Sequence, residues 1–232
     1  MNGDGHADIL LGVLNPENPR GAVVVFGGPG TKSLIWHSLG PRGFRIKGYV
    51  GRLIEGAGDV NADGLDDLAL YNGDGVIVYG KRDLRPLDTD RLTRDQGFRL
   101  THGDDDGFIL LPSGAGDLNG DGYDDVIFGN HRLEVEGQDQ VGETFVIFGG
   151  RRPTDSDPDC LGDRGFRLSG ERAEHRVGIS VAGIGDVNQD GYDDVAIGSA
   201  GIYATDVAPT GLTPLDPVTY IVWGGPDGPT LP

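Results

Sequence analysis

The sequence predicts an all-β fold, a β-propeller of four repeated units, and three observations carry that prediction. An acidic stretch of ten residues occurs three times, as GDVNADGLDD at 58–67, GDLNGDGYDD at 116–125 and GDVNQDGYDD at 185–194, and a shortened form, MNGDGHAD, opens the chain. Short apolar runs follow each copy in a fixed order, punctuated by Gly, Pro and Asp, with no sustained helical period. The central aspartates Asp4, Asp63, Asp121 and Asp190 lie 59, 58 and 69 residues apart. Four β-strands repeated at that spacing fit a propeller blade better than a sandwich, whose strands have no such period. A β-solenoid or a string of independent hairpins is the alternative, and the long period disfavours a tight solenoid.

Each unit supplies its strands in the same order. A run of small residues precedes the acidic stretch: LIEGAGD (53–59), LPSGAGD (111–117) and VAGIGD (181–186). Small side chains suit the crowded strand nearest a propeller axis. An aliphatic run follows, beginning at Asp8, Asp67, Asp125 and Asp194. The next run ends in an aromatic and glycine: VVVFGG (23–28), VIVYG (76–80), FVIFGG (145–150) and YIVWGG (220–225). Three units close with GFRI (43–46) or GFRL (97–100, 165–168). The units are expected at about 1–47, 48–103, 104–170 and 171–232, within one propeller region spanning 1–232. Unit one has no strand before its loop and unit four no GFRL strand, so three, four, four and three strands are expected, fourteen in all. Two different blades are then short. That favours a piece of a longer propeller, or a subunit that assembles through its open ends, over a closed four-bladed ring.

Composition bounds the partners. Nineteen Lys and Arg face 37 Asp and Glu, a formal charge of −18. Nucleic-acid recognition needs clustered basic residues, and an anionic membrane surface would repel this chain, whereas cation binding suits it. The 42 glycines have no every-third-residue order, which excludes collagen. The single Cys160 allows no internal disulfide. No apolar run is long enough for a membrane span and no secretory leader is visible, so membrane insertion is not expected.

The acidic stretches carry the chemistry. In Asp186-Val-Asn188-Gln-Asp190-Gly191-Tyr192-Asp-Asp194, oxygen-bearing side chains fall at the first, third, fifth and ninth positions, and the seventh offers its carbonyl. Glycine at the sixth permits a sharp left-handed turn around an ion. Oxygen ligands without His or Cys select Ca²⁺ over zinc or copper, and Mg²⁺ fits less well because it keeps several waters. Without a cation, the carboxylates would repel one another. An EF-hand begins with the same letters but needs a bidentate Glu at position twelve between helices; here Leu70, Phe128 and Ile197 stand there, between β-runs. A dockerin-like pair fails for the same reason. The alternative is an Asx-rich turn holding no metal.

With the repeats laid out, the units resemble FG-GAP repeats, the blades of the integrin α-subunit propeller and of many bacterial surface and secreted proteins. "FG" corresponds to VVVFGG and FVIFGG, while "GAP" has decayed to YNG, GNH and GSA. The resemblance covers nearly the whole chain. It implies Ca²⁺ held between the first and second strands of a blade, with adhesion or ligand binding, and no catalysis, on the opposite face. It also implies an extracellular or cell-surface location. By position, the implied ligands are Asp59, Asn61, Asp63, Leu65 (carbonyl) and Asp67; Asp117, Asn119, Asp121, Tyr123 (carbonyl) and Asp125; and Asp186, Asn188, Asp190, Tyr192 (carbonyl) and Asp194. Asn2, Asp4, His6 (carbonyl) and Asp8 form a partial fourth set lacking its first ligand.

On the opposite face, the connections between second and third strands vary most. From loop Asp to the next aromatic is 18 residues in unit one, 12 in unit two, 23 in unit three and 29 in unit four. Variable insertions on one face of a repeat array mark a binding face. The candidates there are His131, Arg132, Glu134 and Glu136 in 130–143, and Tyr203 and Asp206 in 199–218; a tolerated surface insertion is the alternative. The partner would be a protein or a glycan. A propeller lectin needs only a few aromatics and polar loops, and Trp36 or Tyr203 could serve. Enzyme signals are missing: the five histidines are dispersed, and there is neither a GxSxG elbow nor a GxxxxGK[ST] loop. Some FG-GAP propellers are joined to a phospholipase domain, which would make this the non-catalytic part of a larger secreted hydrolase.

Overall fold

A computed structural model describes residues 1–13, 21–29, 39–50, 52–101, 110–134, 137, 140–171, 173–200, 217–226 and 228. They form four sheets and four three-residue 3₁₀ turns. Sheet one holds β1 (Ile9–Val13), β2 (Gly21–Val25) and β3 (Gly43–Lys47). Sheet two holds β4 (Ile54–Gly58), β5 (Asp67–Tyr71), β6 (Gly75–Val78) and β8 (Gly97–Leu100), with the two-residue β7 (Leu87–Asp88) lying between the last two in sequence. β9 (Leu111–Gly116), β10 (Asp125–Asn130), β11 (Glu143–Ile147) and β12 (Gly165–Ser169) make sheet three. β13 (Ser180–Gly185), β14 (Asp194–Gly198) and β15 (Thr219–Val222) make sheet four. Within each sheet, neighbouring strands of one unit run antiparallel in chain order, as in the blades of a β-propeller.

The small-residue strands β4, β9 and β13 lie side by side because their glycines admit backbone contact. A Cβ on Gly114 would stand 2.8 Å from the Gly56 carbonyl oxygen, and one on Gly183 would stand 2.6 Å from that of Gly114. The middle strands read as continuous apolar runs because both faces are covered. β10 is buried throughout, and Phe98, Phe128 and Phe145 fill the space between sheets two and three. At the two ends of the array one face loses its neighbour. Ile9 and Leu11 of β1 are 50% and 42% exposed, and Val187 is 51% exposed where its counterparts Val60 and Leu118 are fully buried.

Fourteen strands were expected and fifteen are present among the described residues, because β7 carries no sequence signal of its own. It leaves its own unit and pairs in parallel with β3, Ile46 opposite Leu87. Ser156 repeats the device one blade later, bridging Leu100 of β8 in parallel. Its N–H donates to the Arg99 carbonyl (2.8 Å) and its carbonyl accepts from Thr101 N–H (2.9 Å). Each strap lies between the third and fourth strands of one blade and covers the outer edge of the blade before it, protecting an otherwise open ladder. The matching strand β12 has no such partner among the described residues. Phe166 and Leu168 are only partly buried, where Phe44, Phe98, Ile46 and Leu100 are fully so.

Candidate metal centre

The three complete acidic stretches fold alike, each joining the first and second strands of its blade. Gly58, Gly116 and Gly185 end the first strand in a β-bulge with φ of +75°, +73° and +71°. In the loop of blade two, Asp59 accepts through Oδ1 from Asp63 N–H (2.9 Å) and through Oδ2 from Gly64 N–H (2.8 Å). Asn61 Oδ1 also accepts from Asp63 N–H (2.9 Å), and Asp63 Oδ1 accepts from Leu65 N–H (2.9 Å). Asn61 Nδ2 donates to Asp63 Oδ2 (3.2 Å). Asp117, Asn119, Asp121 and Tyr123 repeat these bonds, as do Asp186, Asn188, Asp190 and Tyr192. Gly64, Gly122 and Gly191, with φ of +83°, +87° and +94°, turn the chain back at the sixth position, where a side chain would be strained.

The ninth-position aspartates differ from the rest. Asp67, Asp125 and Asp194 start the second strands and are fully buried. Each accepts two backbone N–H bonds: Asp67 from Val60 (3.0 Å) and Gly80 (2.7 Å), Asp125 from Leu118 (2.9 Å) and Gly149 (2.8 Å), Asp194 from Val187 (2.9 Å) and Gly224 (3.0 Å). Among the described residues none has a Lys, Arg or His ion-pair partner. Burial pushes the Asp67 carboxyl up to about 7 despite those two bonds, and the nearby Asp63 and Asp59 add to the rise. Burial likewise pushes Asp125 up to about 8, with Asp121 and Asp117 adding to it. A buried carboxylate needs a counter-charge or a metal. The donor set is oxygen only, so a hard cation fits: two aspartates, one asparagine and a carbonyl around the turn, with the buried aspartate beneath. No group of three or more His, Cys, Asp or Glu side chains is drawn together as a ready-made metal cluster among the described residues. The aspartates are instead held by backbone N–H groups and Asn, which leaves part of each carboxylate's acceptor capacity open.

The N-terminal loop keeps the later part of this pattern. Asp4 N–H donates to Asn2 Oδ1 (3.1 Å), His6 N–H to Asp4 Oδ1 (2.9 Å), and Asp8 accepts from Asn2 (3.3 Å) and Gly27 (2.9 Å) N–H. The Met1 ammonium lies 3.9 Å from Asp8 and 3.7 Å from Asp66.

Of the residues expected on the opposite face, His131, Arg132 and Glu134 follow β10, which starts at the loop residue Asp125 and so ends at the far edge of the sheet. Glu136, Tyr203, Asp206 and Trp36 lie outside the described residues. Beside His131 stands a polar cluster with no signal in the sequence. Asn130, Glu143, Thr144 and His175 are buried, and Ser169 hydrogen-bonds Glu143. Asn130 Nδ2, His131 Nδ1, Thr144 Oγ1 and Arg176 Nε are buried without a partner among the described residues. Burial, then Arg132 and Arg176, hold the His131 imidazole below its usual range.

No protein-family model matches the chain. Among curated proteins, it is 32% identical to integrin α-7 of Homo sapiens over 171 residues, 69% of this chain and 13% of that protein. It is 27% identical to integrin α-6 of Gallus gallus over 131 residues, 56% of this chain and 11% of that protein. It is 30% identical to phosphatidylinositol-glycan-specific phospholipase D of Mus musculus over 117 residues, 49% of this chain and 13% of that protein. The chain thus spans little more than a tenth of the length of these relatives. Repeat motif, blade architecture and these similarities together place the chain in the integrin α, FG-GAP-like family of β-propellers.

Proposed function

We propose that residues 1–232 form one propeller region that binds Ca²⁺ in the loops 59–67, 117–125 and 186–194 and serves as a non-catalytic adhesion or ligand-binding module, outside the cell or on its surface. The buried, unpaired aspartates Asp67, Asp125 and Asp194 carry this reading, because three repeats would not each retain a buried carboxylate beside two more carboxylates without a cation. A bound Ca²⁺ supplies positive charge and fixes the loop; it takes no part in a reaction. Asp59, Asn61, Asp63, the Leu65 carbonyl and Asp67 would hold it in blade two, and the matching residues in blades three and four. The N-terminal set Asn2, Asp4, His6 and Asp8 is a partial fourth set without a first-position ligand.

The ligand would be a protein on the face opposite the loops, around His131, Arg132 and Glu134; Glu136, Tyr203 and Asp206 remain candidates from the sequence. The integrin similarities favour a protein over a glycan, while the phospholipase similarity favours a propeller carried beside a catalytic domain. Calorimetry of metal-stripped protein tests the ion. Three sites with Kd of about 10⁻⁴–10⁻³ M are expected, and fewer than two in millimolar Ca²⁺ would overturn the reading. A glycan array separates lectin from protein-binding module, since a specific glycan hit would favour the lectin.

A further inference from the structure

The loops of successive blades are joined by a residue that the metal set leaves out. Asp124, eighth in the loop of blade three, reaches back to the first residue of the loop in blade two. Its Oδ2 accepts from Asp59 N–H (2.6 Å) and its own N–H donates to the Asp59 carbonyl (3.3 Å). Asp193 of blade four does the same to Asp117, at 2.9 Å and 3.1 Å. Beside each pair one more bond crosses between blades, from Gly150 N–H to the Val60 carbonyl (2.9 Å) and from Gly225 N–H to that of Leu118 (2.8 Å). The preceding glycine makes room: a Cβ on Gly58 would stand 2.2 Å from Asp124 Oδ2, and one on Gly116 would stand 2.0 Å from Asp193 Oδ2. Side chains pack across the same junction, since a Cβ on Gly120 would meet the Tyr192 ring at 2.6 Å. The last loop is the comparison within the molecule. Gly185 keeps the same bulge with nothing among the described residues within 4 Å of where its Cβ would be, and Val187 beside it is half exposed.

We infer that Asp124 and Asp193 are positioning residues that clamp the first metal-loop aspartate of the preceding blade, so that cation binding in one blade depends on contact with the next. This rests on the Ca²⁺ reading above. A clamped Asp59 or Asp117 is held in place before the ion arrives, so less ordering is left for binding to complete. Coupling of this kind is reciprocal: an ion in the loop of blade two tightens the junction between blades two and three.

The test resolves the sites one at a time by Ca²⁺ calorimetry on the full chain. With Asp121→Ala and Asp190→Ala removing the other two complete sites, Asp124→Ala is expected to weaken binding at 59–67 about tenfold, the scale of one charge-assisted hydrogen bond. Asp124→Asn, which keeps an acceptor, is expected to retain most of the affinity. With Asp63→Ala and Asp190→Ala removing the other two complete sites, Asp193→Ala is expected to weaken binding at 117–125 about tenfold and Asp124→Ala to weaken it far less. Should Asp124→Ala fail to fold by near-ultraviolet circular dichroism, the Asp193 variants carry the same comparison. Equal loss at both sites, loss only in the variant's own loop, or an Asn variant as weak as the Ala variant would overturn the clamp. Unchanged affinity throughout would overturn the clamp alone; no Ca²⁺ binding by the unsubstituted chain would overturn the Ca²⁺ reading with it.

Discussion

Removing the metal should invert the usual pH dependence of stability. In the metal-free protein, Asp67 and Asp125 are pushed up to about 7 and about 8 by burial, from ordinary values of 3.8. The folded state therefore binds more protons than the unfolded chain between these limits, and stability falls as pH rises. The stabilisation from holding these carboxyls neutral is complete below about pH 4 and is lost as pH passes through 7 and 8. At about 1.4 kcal/mol per pH unit, ionising them without a cation costs up to about 4 kcal/mol at Asp67 and about 6 kcal/mol at Asp125. Even half of that sum would lower Tm by about 10 °C for a chain of this size. The assay is a pair of thermal melts on metal-stripped protein at about pH 5.5 and pH 8.5, repeated in millimolar Ca²⁺. A lower Tm at the higher pH without Ca²⁺ is expected, with recovery when Ca²⁺ is added, because the ion binds the ionised loop. Asp125→Asn should remove roughly half of the metal-free slope. A metal-free Tm that is the same at both values, or that falls toward acid, would refute the reasoning.

Other outcomes follow from the same structure. Asp121→Ala should remove one Ca²⁺ from the calorimetric stoichiometry and leave the others; at about 100 times Kd, that site's share of stability is about 2.7 kcal/mol. Ser156→Pro removes the N–H that bridges to Arg99 and should cost about 1–3 kcal/mol in a denaturant melt. Gly97→Ala places a Cβ 1.9 Å from the Ile77 carbonyl oxygen, in a backbone conformation with φ of +152°, and should leave little folded protein in a circular dichroism melt. The exposed Ile9, Leu11 and Val187 at the ends of the array should make the isolated chain associate with itself, read as a rise in sedimentation coefficient with concentration. A concentration-independent compact monomer would contradict that.

The blades were legible because their signals are local and repeated. Gly-Ala-Gly before Asp59 and Asp117, and the aromatic-glycine pairs at 79–80 and 148–149, mark strand ends without reference to anything distant. The straps were not legible. Leu87–Asp88 and Ser156 pair in parallel over one or two residues, too short for alternation, and the Pro and Asp around them read as loop. The loops were readable as candidate cation sites from the positions of their oxygens. The division of labour within the Asp-Asp doublets was not, because Asp124 and Asp125 differ only in which blade each one faces. The buried Asn130, Glu143 and Thr144 were invisible for a related reason: polar residues at a strand end read as surface until a neighbouring blade covers them.

The most direct test of the central claim is a crystal structure grown in millimolar Ca²⁺, with anomalous difference maps at a long wavelength. Three peaks are predicted, one in each of the loops 59–67, 117–125 and 186–194, each within about 2.3–2.6 Å of oxygens from the first, third, fifth, seventh and ninth residues. Ordered loops without anomalous density, with Asp67, Asp125 and Asp194 still buried, would contradict the account.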